Sequence, residues 1–559
     1  MTARPYLRLI AVLLVLLAAF TPVAVMAGKS GGGGKEKAVE TPAQLKAEEK
    51  LVRFTAVWPP ESLDPCCGQD TSSSILYANI YDSLVFPTAE GTVEPALAES
   101  WSVTPDGLSY TFNIRKGVKF HNGDELNAED VVFSMDRILI MGEGYAYLFE
   151  PVVDKIVQDD DYTVTITMKK PFGPFLKALV NLYILNKNEV LAHIESEGSF
   201  GELGDYGKNW LLTHDAGSGP YMVREMKLAE HCIADRFEGY WQPFDANNPD
   251  SFTLVGTNEP VTVRTLMGNR ELEITDQWQS SENYKAMDEM EGVDIAYFPS
   301  GSILAIQLHN RKPPTDDVHV RRALAYAMDY ESVINALYPG STQPVGPVSV
   351  VFHGHKKDLH QYKTNIDMAM EELKKSKYYG KLDQYPIDVC WPAEWVAADK
   401  IGLLFQASAA KIGVTVNIAK RPWAKMIADI SSQDTTPHAN ILTVSPHYGD
   451  AGSNLSRYHS SSSSTWEQTE WLKDPEIDAM ITDALATVDP GEREAKYYAL
   501  QEKLDELSPS IWLVDVTQRH AYQAAYLDWA PVSTGMVIPV QGYKRYMRHI
   551  KVYPERVPE

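Results

Sequence analysis

VEPALAESWSVTPDGLSYTFNIRKGVKFHNGDELNAEDVVFSMDRIL, residues 93–139, carries both secondary-structure periods within one stretch. Pro105-Asp106-Gly107 has the composition of a tight turn, and after it Leu108, Tyr110, Phe112 and Ile114 alternate with polar residues, the two-residue period of a strand with one buried face. Asn127 then stands where a helix cap belongs, because its side-chain oxygen can accept an orphan amide, and Val131, Met135 and Ile138 follow at helical spacing. Working outward, LVRFTAV at 51–57 alternates as a strand until Pro59-Pro60 and Asp64-Pro65 stop it. Asp317 reads as a second cap, ahead of Val320, Ala323, Leu324, Ala327 and Met328 on one face. The serine-rich run 460–465 reads as an exposed loop. Strands and helices are mixed along the chain and no repeat recurs, so the class is α/β, with α+β parts.

Upstream, Arg4 and Arg8 precede an apolar run at 9–20 and the small-residue stretch Val25-Met26-Ala27, the layout of a secretory signal peptide cleaved after Ala27. The run is shorter than the ~18 residues a membrane span needs. No cysteine lies near that point to carry an acyl anchor, which indicates a periplasmic protein free to diffuse. Residues 28–50 are Gly-rich and then charged, a flexible linker. The 559 residues exceed the ~250–300 at which one core stops growing, so at least two lobes are expected. A net charge of −24 argues against nucleic acid or an anionic membrane as partner.

Four separated stretches, in order, resemble the family 5 extracellular solute-binding proteins of ABC importers, which include dipeptide- and oligopeptide-binding proteins. They are the opening stretch, AGSGPYMV (216–223) with EGYW (238–241), NRKPPTDDVHVRRALAYAMDYESVI (310–334), and VCWPAEWVAADKIGLLFQASAAKIGVTVNI (389–418) continuing to the tract at 448–455. The resemblance implies a two-lobed periplasmic-binding-protein type II fold with an extra subdomain. Lobe I would take 51–74, the subdomain 75–205, then 206–276 and a return segment 511–559; lobe II would take 277–510. It also implies a monomer that binds a small-molecule or peptide ligand and delivers it to a membrane permease with associated ATPases. No cofactor is implied.

Aligned on Gly449-Asp450, the family's aspartate for a peptide amino group falls on His447, and its usual tryptophan on Val444. A neutral imidazole is a weaker partner for an ammonium than a carboxylate, which leaves Asp450, beside Tyr448, as the candidate anchor. The tract Cys390-Trp391-Pro392-Ala393-Glu394-Trp395 matches a ligand-facing loop where some members place an arginine, and this one has none. Trp391 and Trp395, with Trp58, Trp278 and Trp423 on other cleft-edge loops, instead offer flat aromatic area suited to apolar side chains, sugars or cations. Cys66 and Cys67 fall near the site, as a vicinal disulfide or as buried thiols. A Cys232–Cys390 bridge is disfavoured because it would tie the lobes together. His353, His355 and His360 lack the spacing of a closed metal site, and no HExxH, nucleophile elbow or P-loop occurs. The expected function is therefore capture without catalysis. The ligand is a peptide first and an oligosaccharide or other amphipathic solute second, and a two-carboxylate secreted hydrolase is the rival class.

Overall fold

The first strand, Leu51–Ala56, lies parallel to Ser251–Gly256, with Phe54 opposite Leu254. His231–Arg236 and Tyr221–Lys227 extend this sheet as an antiparallel meander. These contacts come from a computed structural model that describes residues 50–558 apart from Pro59, Asn258 and Ser464. The signal segment 1–27 and all of the linker except Lys50 lie outside the described residues.

The stretch that opened the reading builds a second unit. Ser109–Ile114 pairs on one side with Ala98–Val103 and on the other with Thr163–Met168, which pairs in turn with Val153–Asp160. Tyr110, Phe112 and Ile114 are buried as their alternation requires. Helix Ala128–Met141 covers this sheet, capped by Asn127 in a reciprocal box with Asp130. From its buried side Arg137 donates to both oxygens of Asp64 at 2.7 and 2.6 Å, with neither side chain exposed. This ion pair ties the unit to the loop that leaves the first strand.

A third sheet runs in the order Val416–Ile418, Ile387–Cys390, Ala439–Val444, Asp294–Leu308, Ser510–Tyr522. The two long strands at its edge also belong to the first sheet. Ile274 bridges Phe54 on one side and Tyr522 on the other, so the ends 294–299 and 517–522 extend the first sheet. Their other ends, 303–308 and 510–515, lie against the third. Between Pro299 and Ile303 the register slips, and Ser300-Gly301-Ser302 forms a bulge.

Helix Val318–Ala327 starts at Asp317, whose carboxylate accepts from His319 N at 2.8 Å, and buries Val320, Ala323, Leu324 and Ala327. The serine run departs from the expected loop. Ser460–Ser462 forms a 3-10 turn, because the His459 side chain accepts from Ser461 N at its start, and Ser463 is buried against Gln468. Finally the chain returns to the first sheet's side: Ile550–Val552 pairs with Leu527–Trp529, and Met547 N donates to Asn79 Oδ1 at 2.8 Å. Among the described residues, no helix is long and apolar enough to cross a membrane.

Candidate functional site

The carboxyl ends of the parallel strands in the first and third sheets open into one cleft, the usual place for a ligand in open α/β sheets. Trp58 follows strand Leu51–Ala56, and Trp395 follows strand Ile387–Cys390 at the start of helix Val396–Ala410. Trp423 opens helix Trp423–Ile430, where its amide donates to the Glu394 carboxylate at 3.0 and 3.1 Å, so one side chain locks two tryptophan-bearing segments together. Trp278 is fixed by its amide donating to Asp276 at 2.7 Å.

These side chains line a cavity of about 170 Å³, with Trp466, Leu442, Thr443 and Ser445 completing the wall. The rings touch in sequence: Trp395 to Trp278 at 5.1 Å between centroids, Trp278 to Trp58 at 5.9 Å, Trp58 to Trp423 at 6.0 Å, and Trp423 to Trp466 at 6.1 Å. Trp58 Nε1, Thr443 Oγ1 and Gln541 Oε1 are buried polar atoms of this wall, and none has a hydrogen-bond partner among the described residues. Unpaired buried groups are costly and are therefore uncommon unless a ligand or water completes them. Thr71, Ser445 and Gln541 are shared with a narrower chamber that Gln518, His520, Lys544 and Arg545 also line. Glu61 and Asp70 stand at the tryptophan end.

A profile described as bacterial extracellular solute-binding proteins, family 5 Middle, matches residues 92–466. The chain belongs to this family. It is 27% identical over 558 residues to heme-binding protein A of Haemophilus influenzae, covering 95% of this chain and 97% of that protein. It is 26% identical over 475 residues to the dipeptide-binding protein of Escherichia coli, covering 80% and 85%. The solved structure of the ABC transporter-associated periplasmic binding protein DppA from Helicobacter pylori, in complex with the peptide STSA, shares the fold with a TM-score of 0.77 at 22% identity, covering 92% of this chain and 100% of that one. As a family 5 protein the chain is a two-lobed solute receptor of the ABC-importer kind.

The structure gathers Trp58, Trp278, Trp395 and Trp423 at the cleft and places the other sequence-derived candidates elsewhere. Trp391 is 2% exposed, with its ring against Gly402 and its Nε1 donating to Asp399. Asp450 is occupied as a cap: its oxygens accept from Gly452 N and Tyr497 Oη at 2.9 and 2.8 Å, and from Lys177 at 3.2 Å, with Arg493 3.6 Å away. Both oxygens are thus engaged by the protein's own donors. His447 is buried against Tyr147 and lies 3.5 Å from Glu467, and burial holds its pKa below the ordinary value. Tyr448, also buried, borders a separate cavity under Phe172. Cys66 and Cys67 are thiols in the turn after Asp64, and desolvation pushes Cys66 up to about 12, which makes it unreactive. Cys232 and Cys390 are buried thiols in different core clusters. His355 bonds the Val348 carbonyl and His360 bonds Tyr326. Among the described residues no cluster of metal-ligating side chains forms.

Sequence reasoning missed Trp466, Thr443, Gln541, Lys544 and Arg545. Trp466 closely follows the serine run, whose composition is the one available signal. The other four lie on strands and turns that reach the cleft only through long-range pairing.

Proposed function

We propose that this protein is a periplasmic receptor that closes over a short peptide-like, amphipathic solute and passes it unchanged to a membrane permease driven by partner ATPases. The observation that carries this reading is the wall of five tryptophans with unpartnered polar atoms among them. Flat apolar area takes up side chains, while scattered donors and acceptors suit amide groups. The relatives are named as binding proteins, for heme and for dipeptides, which supports binding without turnover.

In this reading lobe I comprises 51–276, including the 75–205 subdomain, and a return segment from about 511, with lobe II between them. The two shared strands form the hinge. The protein acts as a monomer, released after cleavage behind Ala27. Tryptophan faces also accommodate sugar rings, which keeps an oligosaccharide as the second reading.

Mass spectrometry of cargo that co-purifies with native protein tests both. Recovered short peptides, unchanged after incubation, support the receptor for peptides. Recovered glycans favour the second reading, and breakdown products of either would favour an enzyme.

A further inference from the structure

Most buried or half-buried cations among the described residues are neutralised or saturated. Arg137 has Asp64, Arg457 lies 3.1 Å from Glu470, and Arg53 lies 2.7 Å from Glu273. Arg321 has no acid, but all three of its nitrogens donate to carbonyls, those of Ser508, Thr315 and Leu507. Lys544 and Arg545 differ. Among the described residues, Lys544 Nζ has one bond, to the Ser300 carbonyl at 3.1 Å, and Arg545 uses only Nη2, toward Thr275 O and His520 Nδ1, each at 3.0 Å. Neither forms an ion pair there, although both line the narrow chamber of the cleft. Asp276, the acid whose charge Arg545 feels, already has its oxygens bonded to Thr55, Trp278 N and Gln279. Two adjacent cations, Arg545 buried and Lys544 half-buried, facing an open chamber are unfavourable without a counter-charge.

We propose that this chamber is an anion subsite, in which Lys544 and Arg545 receive a carboxylate of the solute while its apolar body lies among the tryptophans. The inference rests on the cleft's being the ligand site and deepens it by naming the charge that the site selects. The chamber's walls supply no anion of their own, since the titratable side chains on them are Lys544, Arg545 and His520. Burial and the neighbouring Arg545 bring Lys544 down to about 8, and the same two causes hold His520 well below its ordinary value and so neutral. A carboxylate arriving there completes a charge-assisted pair of the kind that Arg137 and Arg457 already have.

Three measurements on cargo-free protein, prepared by unfolding and refolding, test this. In the first, calorimetry compares a pool of short casein peptides with the same pool after methyl esterification. Esterification should weaken binding by about tenfold or more, the loss expected for a charge-assisted bond, and Lys544→Met should clearly reduce the difference between the pools, with Arg545 holding the remainder. Equal binding of the two pools overturns the subsite while leaving the peptide reading in place. If neither pool binds, the peptide reading fails and the second measurement decides the subsite alone. In that measurement, crystals soaked in sodium bromide should show an anomalous peak beside Lys544 Nζ that is missing in Lys544→Met. A chamber without bromide overturns the proposal. Lys544→Met should also melt no lower than the parent, since it removes an uncompensated charge; a clear drop would show that Lys544 serves the fold instead. Lys544→Gln repeats each arm with a polar side chain.

Discussion

Trp391 and Trp395 stand four positions apart on one tract, yet their surroundings give them different duties. At Gly402 a β-carbon would overlap the Trp391 indole, so that ring is part of the packing between helix Val396–Ala410 and its sheet. Trp391→Ala should cost about 3–5 kcal/mol of stability, the range for emptying a core of a large aromatic ring. Trp395 faces the cavity, and Trp395→Ala should weaken ligand binding by about 1–3 kcal/mol with a smaller loss of stability. Urea unfolding and calorimetry on the two variants check this, and the reverse pattern would exchange their assignments. Sequence alone could not separate them, since both are tryptophans on a loop following a strand. What distinguishes the packed ring is Gly402, inside the helix that begins after Trp395, and its meaning depends on a contact that only the fold creates.

The partly covered ammonium of Lys544 makes stability depend on pH. Its folded-state pKa, about 8, is below the ordinary lysine value because of burial and Arg545. Between that value and the unfolded pKa the unfolded chain binds more protons, so stability contributed at this site rises as pH rises through about 8 and upward. Below about 8 the lysine is charged in both states and its full penalty is present. The other titratable groups on the chamber do not change charge between pH 7 and 9: His520 is already neutral, and burial brings Arg545 down only to about 10. The difference in unfolding free energy between parent and Lys544→Met should therefore shrink from about pH 7 toward pH 9. A flat difference would contradict the burial of this charge.

Among the elements, the pair of long strands matters most, because each serves two sheets and their register slips where they pass between them. Gly301 sits in the bulge with φ at +79°, and a β-carbon there would come 3.0 Å from Pro446 and 3.1 Å from Phe352. Gly301→Ala should destabilise the protein by about 1–2 kcal/mol through the left-handed conformation and the crowding together. Denaturant unfolding measures it; an unchanged midpoint would show that the bulge relaxes freely. Local elements were largely legible in the sequence: the strand at 109–114 and the helices capped by Asn127 and Asp317 follow from periodicity and capping alone. The bulge was not, since it exists only as a slip of register against its partner strand, Ser510–Tyr522. For the same reason Lys544, which bonds the bulge at Ser300, carried no signal of its own.

Across the whole molecule, direct contacts join residues 173–181 to the segment beyond 446. Lys177 donates to Gly449 O at 2.9 Å, Asn181 to His447 O at 2.8 Å, and Gly173 N to Leu485 O at 2.8 Å. If the shared strands act as a hinge, cargo-free protein should open and lose these bonds, and cargo should restore them and compact the chain. Small-angle scattering should show a smaller radius of gyration with cargo, together with a raised melting temperature. An unchanged radius at saturation would oppose hinge closure. The family resemblance anticipated two lobes, whereas periodicity alone gave only mixed elements, because sheet order depends on pairings across hundreds of residues.

The return of the chain to its first sheet also governs how the molecule assembles. Strand Leu51–Ala56 waits for Ser251–Gly256, and Asn79 is satisfied only when Arg545 and Met547 reach it. During synthesis or passage through a pore, the segments that emerge first are thus completed by segments that emerge late. Such long-range closure is slow, because loop entropy is lost before the contacts that repay it form. The first sheet therefore cannot be completed until nearly the whole polypeptide is present, whereas the sheet within 98–168 pairs only with itself.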